Sequence, residues 1–131
     1  MPDGTHFRTA PTALSGNVVF EDGYKTDHPR SNLVDSFIAD DLDHTRKDNS
    51  DVVTAEVEPA VSADGTKMRT FTFRKLKDGH SQILCYGEDS DKDGKFFIML
   101  MMDSMNDKAF EIGLPLFRQF VAKYKHYSVV N

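Results

Sequence analysis

Five of the eight glycines in this 131-residue chain directly follow an aspartate, at Gly4, Gly23, Gly65, Gly79 and Gly94. Asp-Gly is a preferred filling of tight hairpin turns, because the central residues there need positive φ. The last three pairs fall at similar intervals through the middle of the chain, and the segments between them read as strands. In "DVVTAEVEPAV", Val53, Ala55 and Val57 share one face, with Thr54, Glu56 and Glu58 on the other. In "TKMRTFTFRK", Phe71 and Phe73 lie opposite Thr70 and Thr72. This alternation predicts strands with one wetter face. "SQILCYGE" sets Ile83 and Cys85 against Leu84 and Tyr86. "KFFIMLMMD" is apolar at every position from Phe96 to Met102, as a central strand covered on both faces would be. Strands joined in sequence by short turns form an antiparallel meander.

Two helices bracket the meander. "SNLVDSFIADDLDHTRK" places Val34, Phe37, Ile38, Leu42 and Thr45 along one stripe at helical spacing. Ser31 or Asn32 can cap its start, and Asp35 places negative charge where the helix dipole favours it. Near the other end, Leu114, Phe117, Phe120, Val121 and Tyr124 share a face. Pro115 suits the first turn of a helix and not its interior. The expectation is a short helical turn near Asp107 to Ile112, then a main helix from Leu114 to Lys125, with Lys123, Lys125 and His126 at its C-terminal end. "THFRT" and "NVVFEDGYKT" are weaker strand candidates ahead of the first helix, and Pro29 after His28 gives an extended entry to it.

The predicted order is β-β-α-β-β-β-β-α. The fold class is α+β, an antiparallel meander sheet flanked by two helices, with the N-terminal arm (residues 1–31) also available as cover. By length, residues 1–131 form a single domain, with the helix, four-strand meander and second helix in 32–131.

Hydrophobic residues make up 39% of the chain and charged residues 28%, too apolar a mixture for disorder. The formal net charge of -5, with no cluster of Lys and Arg, argues against nucleic acid as a partner. A single cysteine, Cys85, allows no disulfide within the chain. No apolar run is long enough to span a membrane. "MPDGTHFRT" carries neither basic flank nor apolar core, so the chain as written is expected to be soluble and cytoplasmic, or exported if a leader was removed.

The order of helix, meander, apolar strand and "AFEIGLPLFRQFVAKY" resembles the Mog1/PsbP-like proteins, whose small bacterial members close with an "LP-x-F-x-x-x-V" helix. The resemblance spans roughly Asn32 to Tyr127 and is carried by element order and by Leu114, Pro115, Phe117 and Val121. It implies a sandwich of that architecture and a non-enzymatic assembly factor, adaptor or accessory subunit, with many such proteins exported or lumenal. It carries over no functional residue.

Four constellations bear on chemistry. "DSDKDG" begins like a calcium loop, with Asp89, Asp91 and Asp93 alternating. The twelfth position, which needs a bidentate acid, is Leu100, so the plainer reading is a solvated hairpin turn. Met99, Met101, Met102 and Met105 carry the soft ligands of a copper(I) site, but Met99 and Met101 share a strand face that Met102 leaves, which suits core packing. "DDLDH" puts Asp40 and His44 one helical turn apart with no recognisable third ligand. Asp40, Asp41, Asp43 and His44 are therefore expected to form an exposed acidic docking surface for a protein partner. Cys85 with His28, His44, His80 or His126 could in principle form a nucleophile and base, but a mid-strand cysteine in an apolar run is usually inert. No nucleophile elbow, phosphate loop or zinc-protease motif occurs.

The sequence thus points to a small non-enzymatic binding or accessory protein without a cofactor, acting through protein–protein contact. The alternative is a small enzyme or ligand-binding domain using a cleft between helix and sheet.

Overall fold

The computed structural model describes residues 6–8, 12–14, 17–25, 33–91 and 94–124. Its strands are β1 (His6–Arg8), β2 (Thr12–Leu14), β3 (Asn17–Lys25), β4 (Val53–Val61), β5 (Lys67–Arg74), β6 (Ser81–Asp91) and β7 (Gly94–Ser104). Helix α1 (Leu33–Asp48) precedes β4, and helix α2 (Asp107–Ala122) follows β7. All strands pair antiparallel in one sheet of order β1-β3-β7-β6-β5-β4, with β2 also on β3. The α+β class and the meander β4 to β7 agree with the sequence reading.

Strand β7 lies inside the sheet, and its apolar run is covered on both sides. Ile98, Leu100 and Met102 join Met68, Ile83 and Cys85 in a buried cluster with Phe110, Phe117 and Val121 of α2. Phe97 and Met99 join Phe71, Phe73, Leu84 and Tyr86 in a second cluster with Phe37 and Ile38 of α1. Period-two alternation therefore sorts residues between two cores. The wetter face expected of "TKMRTFTFRK" is not wet, because α2 covers it: Thr70 and Thr72 are both buried. The Thr70 hydroxyl is satisfied locally, donating to the Met68 carbonyl at 2.8 Å and accepting from the Ala60 backbone N–H at 2.9 Å.

That second bond bridges a bulge. The register of β4 on β5 shifts between Val57 and Ala60, inserting an extra residue beside Pro59. A bulge at an edge strand bends it and interrupts pairing, and here it brings Ala60 opposite Met68 as the only buried residue of β4. Val53 and Ala55, expected on a covered face, are exposed, because β4 is the edge of the sheet.

The turns are more varied than five copies of one motif. Asp78 and Gly79 both have positive φ, 62° and 78°, as a two-residue mirror-type turn requires. At Asp64-Gly65 only the glycine does, at 83°. There the Ser62 N–H donates to the Thr66 carbonyl and the Gly65 N–H to the Ser62 carbonyl, both at 3.0 Å, which closes a three-residue hairpin loop. Gly23 makes no turn; it lies inside β3, opposite Ile98.

Three further expectations are corrected. Among the described residues the N-terminal segments do not cover a sheet face: the whole of β3 pairs with β7, from Phe96 to Ser104, and extends the sheet, with β1 and β2 following one another along its outer edge. The two strands expected ahead of α1 are three, the addition being the short β2, three residues with no alternation to mark them. Lastly, α2 is one continuous helix through Pro115. It starts at Asn106, whose side chain accepts the Ala109 N–H at 2.8 Å. Proline deprives the Glu111 carbonyl of its helical donor, but Glu111 and Pro115 are both exposed, so water can serve that carbonyl. Lys125 and His126 lie outside the described residues. No helix among the described residues is long and apolar enough to cross a membrane.

Candidate functional site

Helix α1 presents Asp41, His44, Thr45 and Asp48 at spacings of three, one and three residues, which puts them on one face. This face looks toward the β5–β6 loop and borders an open groove of about 420 Å³. Leu76, Lys77, Asp78 and His80 of the loop form the opposite wall, with Gln82 of β6 and Asp103 of β7 between the walls. The loop is tied to α1: the Lys77 N–H donates to Asn49 Oδ1 at 2.9 Å, and Asn49 Nδ2 donates to the Thr45 carbonyl at 3.1 Å. Away from this groove the space between α1 and the sheet is filled by the aromatic cluster of Phe37, Phe71, Tyr86 and Phe97.

Gln82 and Asp103 are direct cross-strand partners. Asp103 is used at both oxygens: Oδ2 lies 2.9 Å from His80 Nδ1, and Oδ1 accepts from Gln82 Nε2 at 2.9 Å. A carboxylate held at both oxygens fixes its partners in turn, so the imidazole of His80 has a defined orientation at the groove.

The expected acidic surface divides. Asp40 and Asp43 are exposed, as is His44. Asp43 pairs with Lys47 one turn on, at 2.9 Å, and this ammonium holds its carboxyl below the ordinary range. Asp41 does not share this exposure. It is partly buried and accepts a hydrogen bond from the Tyr86 hydroxyl, because the α1 register that buries Phe37 and Ile38 also turns position 41 inward. Burial disfavours its charged form and raises its pKa, with the Tyr86 bond and His44 opposing without reversing the shift. His44 therefore shares the groove with Asp41 and Asp48, not with Asp40.

A pH dependence follows from Asp41. The folded state retains the Asp41 proton to higher pH than the unfolded chain, whose ordinary value is 3.8. This contribution to stability is complete below that value and is lost as pH rises through the raised one. Asp41→Asn removes it. Denaturant midpoints of parent and variant, measured from about pH 4 to about pH 7, should show the variant gaining on the parent as pH rises. Parallel profiles would exclude a burial-raised Asp41.

For the remaining candidates, the side chains of Asp89 and Asp91, and Asp93 entirely, lie outside the described residues. The backbone at Asp89 and Asp91 is strand, paired with Phe96 and Gly94. Met99 and Met102 are buried in separate cores, Met101 packs beside Met99's cluster, and Met105 is exposed, so the four thioethers do not converge. Cys85 is fully buried, with burial pushing its thiol up to about 12, which leaves no thiolate for nucleophilic chemistry. His28 and His126 lie outside the described residues. Among the described residues no group of three or more His, Cys, Asp or Glu side chains is arranged to hold a metal ion.

Sequence reasoning missed His80, Gln82 and Asp103 as a unit. The one local signal was the Asp78-Gly79 turn, which returns His80 toward α1; the Gln82–Asp103 pairing needs the strand register. Compared with known proteins, the chain matches no family model and no curated protein sequence.

Proposed function

We propose that this protein is a non-enzymatic binding or accessory protein that receives a basic segment of a protein partner in the groove between α1 and the β5–β6 loop. The observation that carries this reading is the lining of the groove: among the described residues it holds four aspartates, Asp41, Asp48, Asp78 and Asp103, against a single lysine, Lys77. Such a surface steers a cationic partner and repels anionic ones. The Mog1/PsbP-like resemblance read from the sequence favours an adaptor or accessory role.

The test compares the parent with an Asp48→Asn/Asp78→Asn variant, both residues lining the groove, as bait for partners from cells of the source organism. Both substitutions are exposed and should change stability by no more than about 0.5 kcal/mol. A partner retained by the parent at low salt should be lost by the variant, with the difference shrinking as salt rises. Equal retention by both proteins would refute the groove as the docking site.

A second reading, a small enzyme or ligand-binding domain acting in the same groove, is favoured by one observation: His80 is oriented by Asp103 as a general base would be. Turnover of a small molecule that disappears in His80→Ala would establish it over the first.

A further inference from the structure

We propose that the groove recognises a guanidinium group, with His80 as a principal hydrogen-bond acceptor; this builds on the basic-partner reading and names the group recognised. Asp103 as a carboxylate can only accept hydrogen bonds, so the contact of its Oδ2 with His80 Nδ1 at 2.9 Å requires the proton to be on Nδ1. In the neutral imidazole this leaves Nε2 as an acceptor. The same logic orients Gln82: its Nε2 is engaged by Asp103 at 2.9 Å, which leaves the amide oxygen as a second acceptor. The loop wall and the floor thus offer acceptors from uncharged groups, and α1 contributes the carboxyl of Asp48 to the same groove.

A ligand matched to this arrangement must be cationic and must carry several donors spread across a few ångströms. Guanidinium has five N–H donors in a rigid plane, whereas an ammonium concentrates three at a point. Guanidinium is also the more weakly hydrated cation, which lowers the cost of leaving water for an open polar groove. The volume of about 420 Å³ admits such a side chain together with flanking backbone. Phosphate and carboxylate ligands meet the four aspartates, with side-chain donors among the described lining residues offered by Lys77, His44 and Thr45.

The experiment is a titration of the whole chain, followed by imidazole and amide nitrogen NMR, with blocked arginine, blocked lysine and blocked citrulline. Citrulline keeps the shape and loses the charge. Before ligand, the His80 spectrum should show the tautomer protonated at Nδ1. Blocked arginine should give saturable shifts at His80 and Gln82 in the millimolar range, lysine should bind several-fold more weakly, and citrulline should not bind. His80→Phe should weaken arginine binding at least tenfold while amide shifts in the α2 core stay in place, and Glu111→Gln, an exposed acid on α2 outside the groove lining, should leave it nearly unchanged. His80 protonated at Nε2, or no saturable shift with blocked arginine, overturns the inference. If the partner depends on Asp48 and Asp78 but arginine leaves His80 unmoved, the partner reading survives and the guanidinium assignment falls. If arginine binds and no protein partner depends on the groove, the ligand is a free guanidino compound and the partner reading falls.

Discussion

Phe117→Ala is expected to destabilise the protein by about 3–5 kcal/mol, a large share of the roughly 5–15 kcal/mol typical of a whole domain. Phe117 has no exposed surface and lies in the middle of the α2 core, flanked one and two turns away by Val121 and Phe110, which are equally buried. Its loss removes the transfer free energy of the ring and leaves a cavity that β6 and β7 cannot close without breaking their pairing. Denaturant unfolding should show a lower midpoint at unchanged slope. A loss below about 1 kcal/mol would mean that α2 resettles on the sheet and that the core is looser than its burial implies.

Gly113→Val should be destabilising by about 1–3 kcal/mol from overpacking, and Gly113→Ala should also destabilise. Helix propensity alone gives the opposite sign, since alanine exceeds glycine by about 1 kcal/mol in a helix interior. The reversal comes from space. A Cβ at position 113 would lie 2.6 Å from Asn17 Nδ2, 2.6 Å from Met102 Sδ and 2.8 Å from Met102 Cε. The methionine end can swing aside. The asparagine cannot do so freely, because its Nδ2 donates to the Ala109 carbonyl at 3.0 Å, one turn earlier in α2. Thermal unfolding of the alanine variant is the sharper measurement, since a rise in its midpoint would mean that the approach of α2 to β3 is not a constraint.

How much of this was legible in the sequence depends on the range of the forces involved. The meander was legible because Asp-Gly turns and period-two strands are local, and the apolar run in β7 announced its own burial. The stripe through Phe37 and Ile38 likewise placed α1. The position of the N-terminal strands was not legible: whether "NVVFEDGYK" covers a face or extends an edge depends on its pairing with β7, which no short window encodes. Pro115 misled because its preference for a first turn yields when the carbonyl it orphans faces water. Thr70 and Thr72 read as solvent-facing because their hydroxyls are polar, yet that of Thr70 is satisfied by β4 and β5 backbone. At the site, the acidic character of α1 was readable and the inward turn of Asp41 was a matter of one helical position. His80, Gln82 and Asp103 become a unit only through the β6–β7 register.

The placement of β3 beside β7 also governs how the chain reaches this state. From β4 to β7 each strand meets its sequence neighbour across a short loop, so this part can zip hairpin by hairpin at low entropic cost. The β3–β7 ladder joins residues as distant as Asn17 and Ser104, and closing so long a loop comes before any of its contacts are formed. Docking of β3 is thus expected as a late event. Weakening Val19, whose side chain joins the α2 core, should then accelerate unfolding and leave the folding rate nearly unchanged; a matching slowdown in folding would place β3 in the nucleus instead.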